Sequence, residues 1–101
     1  MITITKQQNG TIMSAVIGGH IDAETSPEFY DAFSGALDSL TELTINIKDV
    51  DYVSSAGLRV FILLYKTMKA HNGKLTICQP QQFVSDLLES TGLTSYLCIE
   101  P

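Results

Sequence analysis

Segments patterned as strands alternate with segments patterned as helices along this chain of 101 residues. Isoleucine alternates with threonine at residues 2–5, Asn9-Gly10 has the composition of a tight turn, and residues 11–17 are rich in β-forming side chains. These features predict an antiparallel hairpin at the start of the chain. Further strands are predicted from alternating or continuous apolar residues at 43–47, 74–78 and 96–99.

Helical segments lie between these strands. The first begins with Ser26 as its cap and Pro27 at the first helical position, and apolar residues continue at helical spacing to Leu40. The second follows a predicted loop at 49–52, begins at Ser54 or Ser55 and runs to about His71. Asn72-Gly73 is predicted to end this helix in left-handed conformations.

A third helix is predicted to start at Gln79-Pro80 and to end near Gly92. One side of it is predicted to carry the apolar residues Phe83, Val84, Leu87 and Leu88. Strands joined through helices require right-handed crossovers and hence parallel pairing, whereas a hairpin is antiparallel. The predicted fold class is therefore α/β, a single domain over residues 1–101 with a mixed, mostly parallel sheet covered by helices, in the order β-β-α-β-α-β-α and a final short strand.

Composition narrows the classes of function. The net charge of −5 and the absence of any run among the six Lys and Arg residues argue against direct nucleic-acid binding. No apolar stretch approaches the ~20 residues of a membrane span, and the N-terminus has no signal core, so we expect a cytoplasmic protein without membrane insertion. Cys78 and Cys98 are expected to be two buried, unpaired thiols, and neither a metal site nor a cofactor is predicted.

Two neighbouring serines stand at the start of the second predicted helix. On a helical wheel Ser55 falls on the same side as Arg59 and Lys66, whereas Ser54 falls with Leu58. Ser55 is therefore the outward hydroxyl, and a phosphoryl group on it would be favoured by the helix N-terminus by about 0.3–1 kcal/mol. The alternative interpretation is structural: the serines cap the helix, and the small residues let it approach the sheet closely.

The outer side of this helix is more apolar than exposure to solvent requires, because Ile62 and Leu63 lie near Arg59 on the wheel. These residues form either a docking surface or a contact with a neighbouring loop. An enzyme is not predicted. His20, Asp22 and Ser55 are the only set that could imitate a catalytic triad, and no nucleophile motif accompanies them.

Three segments resemble one family of bacterial regulators. Residues 50–58, Val-Asp-Tyr-Val-Ser-Ser-Ala-Gly-Leu, resemble the segment around the phosphorylated serine of anti-sigma factor antagonists, the STAS domain family. Residues 18–26 are similar to the family's Gly-x-Leu-Asp-x-x-Thr-Ala element, and residues 77–93 to its closing strand, helix and Gly-Leu turn. The segments follow one another in the family's order and cover nearly the whole chain.

The resemblance implies partner switching. The unmodified domain would bind an anti-sigma factor that is also a serine protein kinase, phosphorylation of Ser55 would release it, and a serine phosphatase would reset the cycle. Ser54 is the alternative phosphorylation site, since it stands where the family usually has Asp. Together with the outward residues of the second helix, the resemblance implies partner contacts at Asp22, Thr25, Ser54, Gly57, Arg59, Ile62 and Leu63.

A second reading of the same resemblance is a STAS module that is not phosphorylated. Such a module would serve as a scaffold or ligand-binding subunit, for example of a lipid-transport ATPase. No Gly-rich phosphate loop supports nucleotide binding.

Overall fold

The computed structural model describes residues 2–101 as one mixed sheet with helices on one of its faces. The strands are β1 (Ile2–Asn9), β2 (Ile12–Ile21), β3 (Glu42–Val53), β4 (Lys74–Cys78) and β5 (Cys98–Glu100), and the helices are α1 (Ser26–Ser34), α2 (Ser55–Ala70) and α3 (Gln82–Ser90). The strand order is β1-β2-β3-β4-β5, with β1 antiparallel to β2 and every other pair parallel. The predicted α/β class and the mixed, mostly parallel sheet are confirmed.

The first two strands form the predicted hairpin, with Asn9 paired to Ile12 across the turn. Gly10 adopts a φ of 65°, a left-handed conformation that glycine reaches without strain. The prediction of a loop at 49–52 is wrong, because β3 continues through these residues to Val53. Two register shifts in the pairing of β2 with β3, each with one extra residue on β3, allow this pairing to continue where the simple apolar alternation breaks down.

The first helix is shorter than its apolar pattern indicates. It ends at Ser34, and a separate 3₁₀ turn at Leu37–Ser39 carries the chain onward. Leu37 and Leu40 are nevertheless buried, so the periodicity identified the core residues but not the end of the helix. The helix is capped at Thr25 rather than at the predicted Ser26, and the Thr25 side chain makes no capping hydrogen bond.

The third helix begins two residues later than predicted, at Gln82. Gln79 has a left-handed φ of 56° and Pro80 follows it, so the chain turns before the helix starts. Val84 and Leu88 are buried, Leu87 is half-buried and Phe83 is 45% exposed. The four apolar residues that were predicted on one side of this helix are therefore not all packed into the core.

The core lies between the helices and one face of the sheet. The rings of Phe29, Phe33 and Phe61 meet edge to face, with centroids 5.8 Å apart for Phe29 and Phe33 and 5.2 Å apart for Phe29 and Phe61. The opposite face is open, since Ile12 is 50% and Val16 38% exposed there. The expectation of two buried thiols is wrong, because Cys98 is exposed and Cys78 is only half-buried. In residues 2–101 no helix combines the length and apolar character that crossing a bilayer demands.

Candidate functional site

The junction between β3 and α2 holds the two neighbouring serines. Ser54 is the N-cap of α2, and its Oγ accepts a hydrogen bond from the backbone N–H of Gly57 at 3.5 Å. The backbone N–H of Ser54 donates to the carbonyl oxygen of Ile21 at 2.8 Å, which ties the junction to the end of β2. Ser55 is the first residue of the helix and is exposed. The structure thus places Ser54 inward and Ser55 toward solvent.

Gly57 lies buried beneath the first turn of α2. A Cβ atom there would lie 2.7 Å from Cγ2 of Ile21, 2.8 Å from the Ile21 carbonyl oxygen and 3.0 Å from Cγ1 of Val53. The missing side chain therefore lets the helix start directly on the ends of β2 and β3. Gly57 is thus buried in the isolated chain, and the partner contact predicted for it from the sequence stays a prediction.

The loop after β2 is held by hydrogen bonds between Asp22 and Thr25. Oδ1 of Asp22 accepts from the backbone N–H groups of Glu24 at 3.0 Å and Thr25 at 3.1 Å, while the Thr25 hydroxyl donates to the carbonyl oxygen of His20 at 2.7 Å. The bond from the Thr25 backbone N–H is the main cause that lowers the pKa of Asp22, against an opposing effect of desolvation. Thr25 is buried and its hydrogen bonds hold this loop, while the partner contact predicted for it stays a prediction.

This loop and the serine junction occupy the same end of the sheet. Ile21, which precedes Asp22, pairs with Val53, which precedes Ser54. Beside them, Nδ1 of His20 lies 2.7 Å from Oδ1 of Asp51, and both side chains are more than half exposed. The carboxyl ends of β2 and β3 therefore bring an acidic loop, a serine hydroxyl and a helix N-terminus together.

The outer side of α2 is only partly covered. Arg59 is exposed one turn after Ser55, and Leu63 is 48% exposed. Leu63 therefore faces solvent rather than a neighbouring loop, whereas Ile62 is half-buried against the core. The helix contains Arg59, Lys66 and Lys69 and no acidic residue, which makes its surface locally cationic in an acidic protein.

An apolar depression adjoins Ser55, and the sequence prediction missed most of its residues. Its volume is about 660 Å³, and it is lined by Tyr52, Val53, Ser54, Ser55, Leu58, Phe83, Asp86, Leu87 and Ser90. Tyr52 and Phe83 are 46% and 45% exposed, so two aromatic rings are open to solvent beside the hydroxyl. The spacing carried part of the signal, because it divides the apolar residues of α3 into two pairs without showing which pair is exposed. Phe83 and Leu87 form one i, i+4 pair and Val84 and Leu88 another, and the two pairs point in different directions.

Comparisons with known proteins agree with this architecture. The STAS domain family model matches residues 3–101. The anti-sigma-B factor antagonist of Bacillus subtilis is 29% identical over 98 residues, which make up 97% of this chain and 90% of that protein.

Two solved structures share the fold. The crystal structure of an anti-sigma factor antagonist from Mycobacterium paratuberculosis has a TM-score of 0.89 at 22% identity and covers 100% of this chain and 86% of its own. The Bacillus cell fate determinant SpoIIAA in its phosphorylated form has a TM-score of 0.77 at 13% identity and covers 96% of this chain and 90% of its own. Since the family model spans the domain almost from end to end, the chain belongs to the STAS domain family.

Proposed function

We propose that this chain is an anti-sigma factor antagonist whose partner binding is controlled by phosphorylation of Ser55. The observation that carries the proposal is the position of the Ser55 hydroxyl: exposed, at the N-terminus of α2, and on the rim of an apolar depression. Two similarities support it. The Bacillus subtilis relative is named an anti-sigma-B factor antagonist, and SpoIIAA, which shares the fold, has a structure in the phosphorylated form.

The surface around Ser55 suits a reversible protein contact. Tyr52 and Phe83 present partly exposed aromatic rings, and aromatic side chains supply much of the binding energy at protein interfaces. Asp22, Ser54, Arg59, Ile62 and Leu63 remain predicted contacts at its border. The unmodified hydroxyl is neutral and small, so a partner can cover it at little desolvation cost.

Phosphorylation would change the chemistry of this rim. A phosphoserine carries a charge of about −1.5 to −2 and three strong acceptor oxygens. The free N–H groups at the start of α2 and the guanidinium of Arg59 would stabilise that charge in water. A bound partner would instead have to bury a dianion beside Tyr52 and Phe83, which is costly, so the modified chain is released.

The partner class follows from this proposal. A protein kinase that also sequesters a sigma factor would bind the unmodified chain and transfer the γ-phosphoryl group of ATP to the Ser55 oxygen. A serine phosphatase would hydrolyse the ester and restore the binding surface.

The direct experiment is phosphorylation with the candidate kinase and ATP, read by mass spectrometry of the intact chain. We expect one added phosphate on the native chain and on Ser54→Ala, and none on Ser55→Ala. Full modification of Ser55→Ala would refute the site. A chain that neither binds nor is modified by any such kinase would favour the scaffold function.

A further inference from the structure

A second apolar depression lies farther along α2. Its volume is about 250 Å³, and it is lined by Ile62, Tyr65, Lys66, Leu93, Tyr96 and Leu97. Leu93 and Leu97 are buried, whereas Tyr96 is 64% exposed with its ring centroid 6.1 Å from that of Tyr65. An aromatic side chain this exposed beside an apolar depression is typical of an unfilled contact site.

The two depressions follow one another along the same side of α2. Leu58 borders the first, and Ile62 and Tyr65 border the second, at spacings of four and three residues that place all three on one helix face. The facing wall is also continuous in sequence, because α3 passes through the left-handed Gly92 directly into the 3₁₀ turn Leu93–Ser95. From Leu58 to Tyr65 the helix rises by about 10 Å.

The charge beside the second depression is positive. Lys66 is the only charged residue that lines it, and α2 contributes Arg59 and Lys69 without any acidic residue. Within residues 2–101 the only ion pair joins His20 to Asp51, so the Lys66 ammonium is available to a partner. The complement to this surface is an apolar side chain flanked by a carboxylate.

A second copy of this chain does not supply that complement within residues 2–101. Helix α1 carries Glu28 and Asp31, but Phe29 and Phe33 are fully buried and Tyr30 packs half-buried against the core. The exposed ring of the other acidic helix, Phe83 of α3, already lines the first depression. We therefore place the occupant on a different protein.

Resting on the function proposed above, we propose that the partner docks with an acidic amphipathic helix laid along α2. One apolar side chain of that helix enters the depression beside Ser55, and a second, two turns later, enters the depression beside Tyr96. A carboxylate next to the second side chain pairs with Lys66. Docking of an amphipathic helix through anchors spaced by whole turns is a recurrent mode of recognition.

The test is an NMR titration of the ¹⁵N-labelled chain with a designed helical peptide that has leucines seven residues apart and glutamates beside the second leucine. The control peptide has lysines in place of the glutamates. We expect the acidic peptide to bind about 10-fold more tightly and to shift the amide resonances of Ile62, Lys66, Leu93 and Tyr96. Equal affinity for both peptides, no binding at about 1 mM, or shifts confined to the open sheet face would overturn the proposal.

Charge reversal supplies matched protein variants. Lys66→Glu should abolish the preference for the acidic peptide, whereas Lys74→Glu, the same change at an exposed lysine of β4 outside the lining, should keep it. Equal effects of both substitutions would contradict a specific site. The peptide titration does not require phosphorylation. A Ser55 that the kinase leaves unmodified would count against the proposed function, whereas equal binding of the acidic and the control peptide would count against this docking site.

Discussion

Ser54 and Ser55 are neighbours in sequence with different structural roles. Ser54 makes a long capping bond of 3.5 Å to the N–H of Gly57, and Ser55 is exposed at the first helical position. We therefore expect Ser54→Ala to lower the free energy of unfolding by about 0.5–1 kcal/mol, the weaker part of the range for caps. Ser55→Ala should change it by less than about 0.5 kcal/mol. Urea denaturation of both variants measures the difference, and a larger loss in Ser55→Ala would reverse the assignment.

Asp22 makes the stability of the loop after β2 depend on pH. Its pKa is lowered in the folded chain, mainly by the bond from the Thr25 backbone N–H. A carboxyl with a depressed folded pKa contributes stability above its unfolded pKa of about 3.9, and this contribution is lost as pH falls through the lower folded value. Asp22→Asn should therefore lose less stability than the native chain between about pH 5 and pH 3.

Urea midpoints measured across this pH range provide the comparison. Asp38→Asn, an exposed carboxyl outside the loop, is the matched control and should follow the native curve. If the native chain and Asp22→Asn give the same curve, the hydrogen bonds of Asp22 do not contribute to stability in this pH range.

At the scale of elements, the contact between α2 and the strand ends depends on one absent side chain. Gly57→Ala would place a methyl group 2.8 Å from the Ile21 carbonyl oxygen, so the helix must shift. We expect a loss of about 1–3 kcal/mol in the free energy of unfolding. Gly35→Ala is the control, since a Cβ there meets nothing within 4 Å, and it should be neutral or stabilising by up to about 1 kcal/mol. Equal effects of the two substitutions would contradict the close contact.

The elements also show what the sequence could and could not predict. The strand and helix order followed from apolar spacing, and the outward position of Ser55 followed from the phase set by buried residues such as Phe61 and Leu64. The extension of β3 to Val53 could not be predicted, because two extra residues on β3 shift its register and so maintain its pairing with β2. The exposure of Phe83 could not be predicted either. The left-handed Gln79 and the packing of α3 determine which of its two apolar stripes is buried, and the two stripes look alike in sequence.

At the scale of the whole molecule, the aromatic residues divide into a buried group and an exposed group. Phe29 is fully buried against Phe33 and Phe61, so Phe29→Ala should cost about 3–5 kcal/mol, a large share of the 5–15 kcal/mol typical of a domain. Phe83 is 45% exposed, and Phe83→Ala should cost less than about 1 kcal/mol of stability. Thermal unfolding separates them, and an equal loss in both would place Phe83 in the core.

The close packing of Gly57 on Ile21 and Val53 has a consequence for how a signal could be stored. The first turn of α2 has no room to move inward, so a phosphate on Ser55 would be added to a scaffold that keeps its shape. The phosphorylated and unphosphorylated chains would then share one backbone conformation and differ in surface charge. Hydrolysis of that one ester bond would restore the unmodified surface without a change of fold.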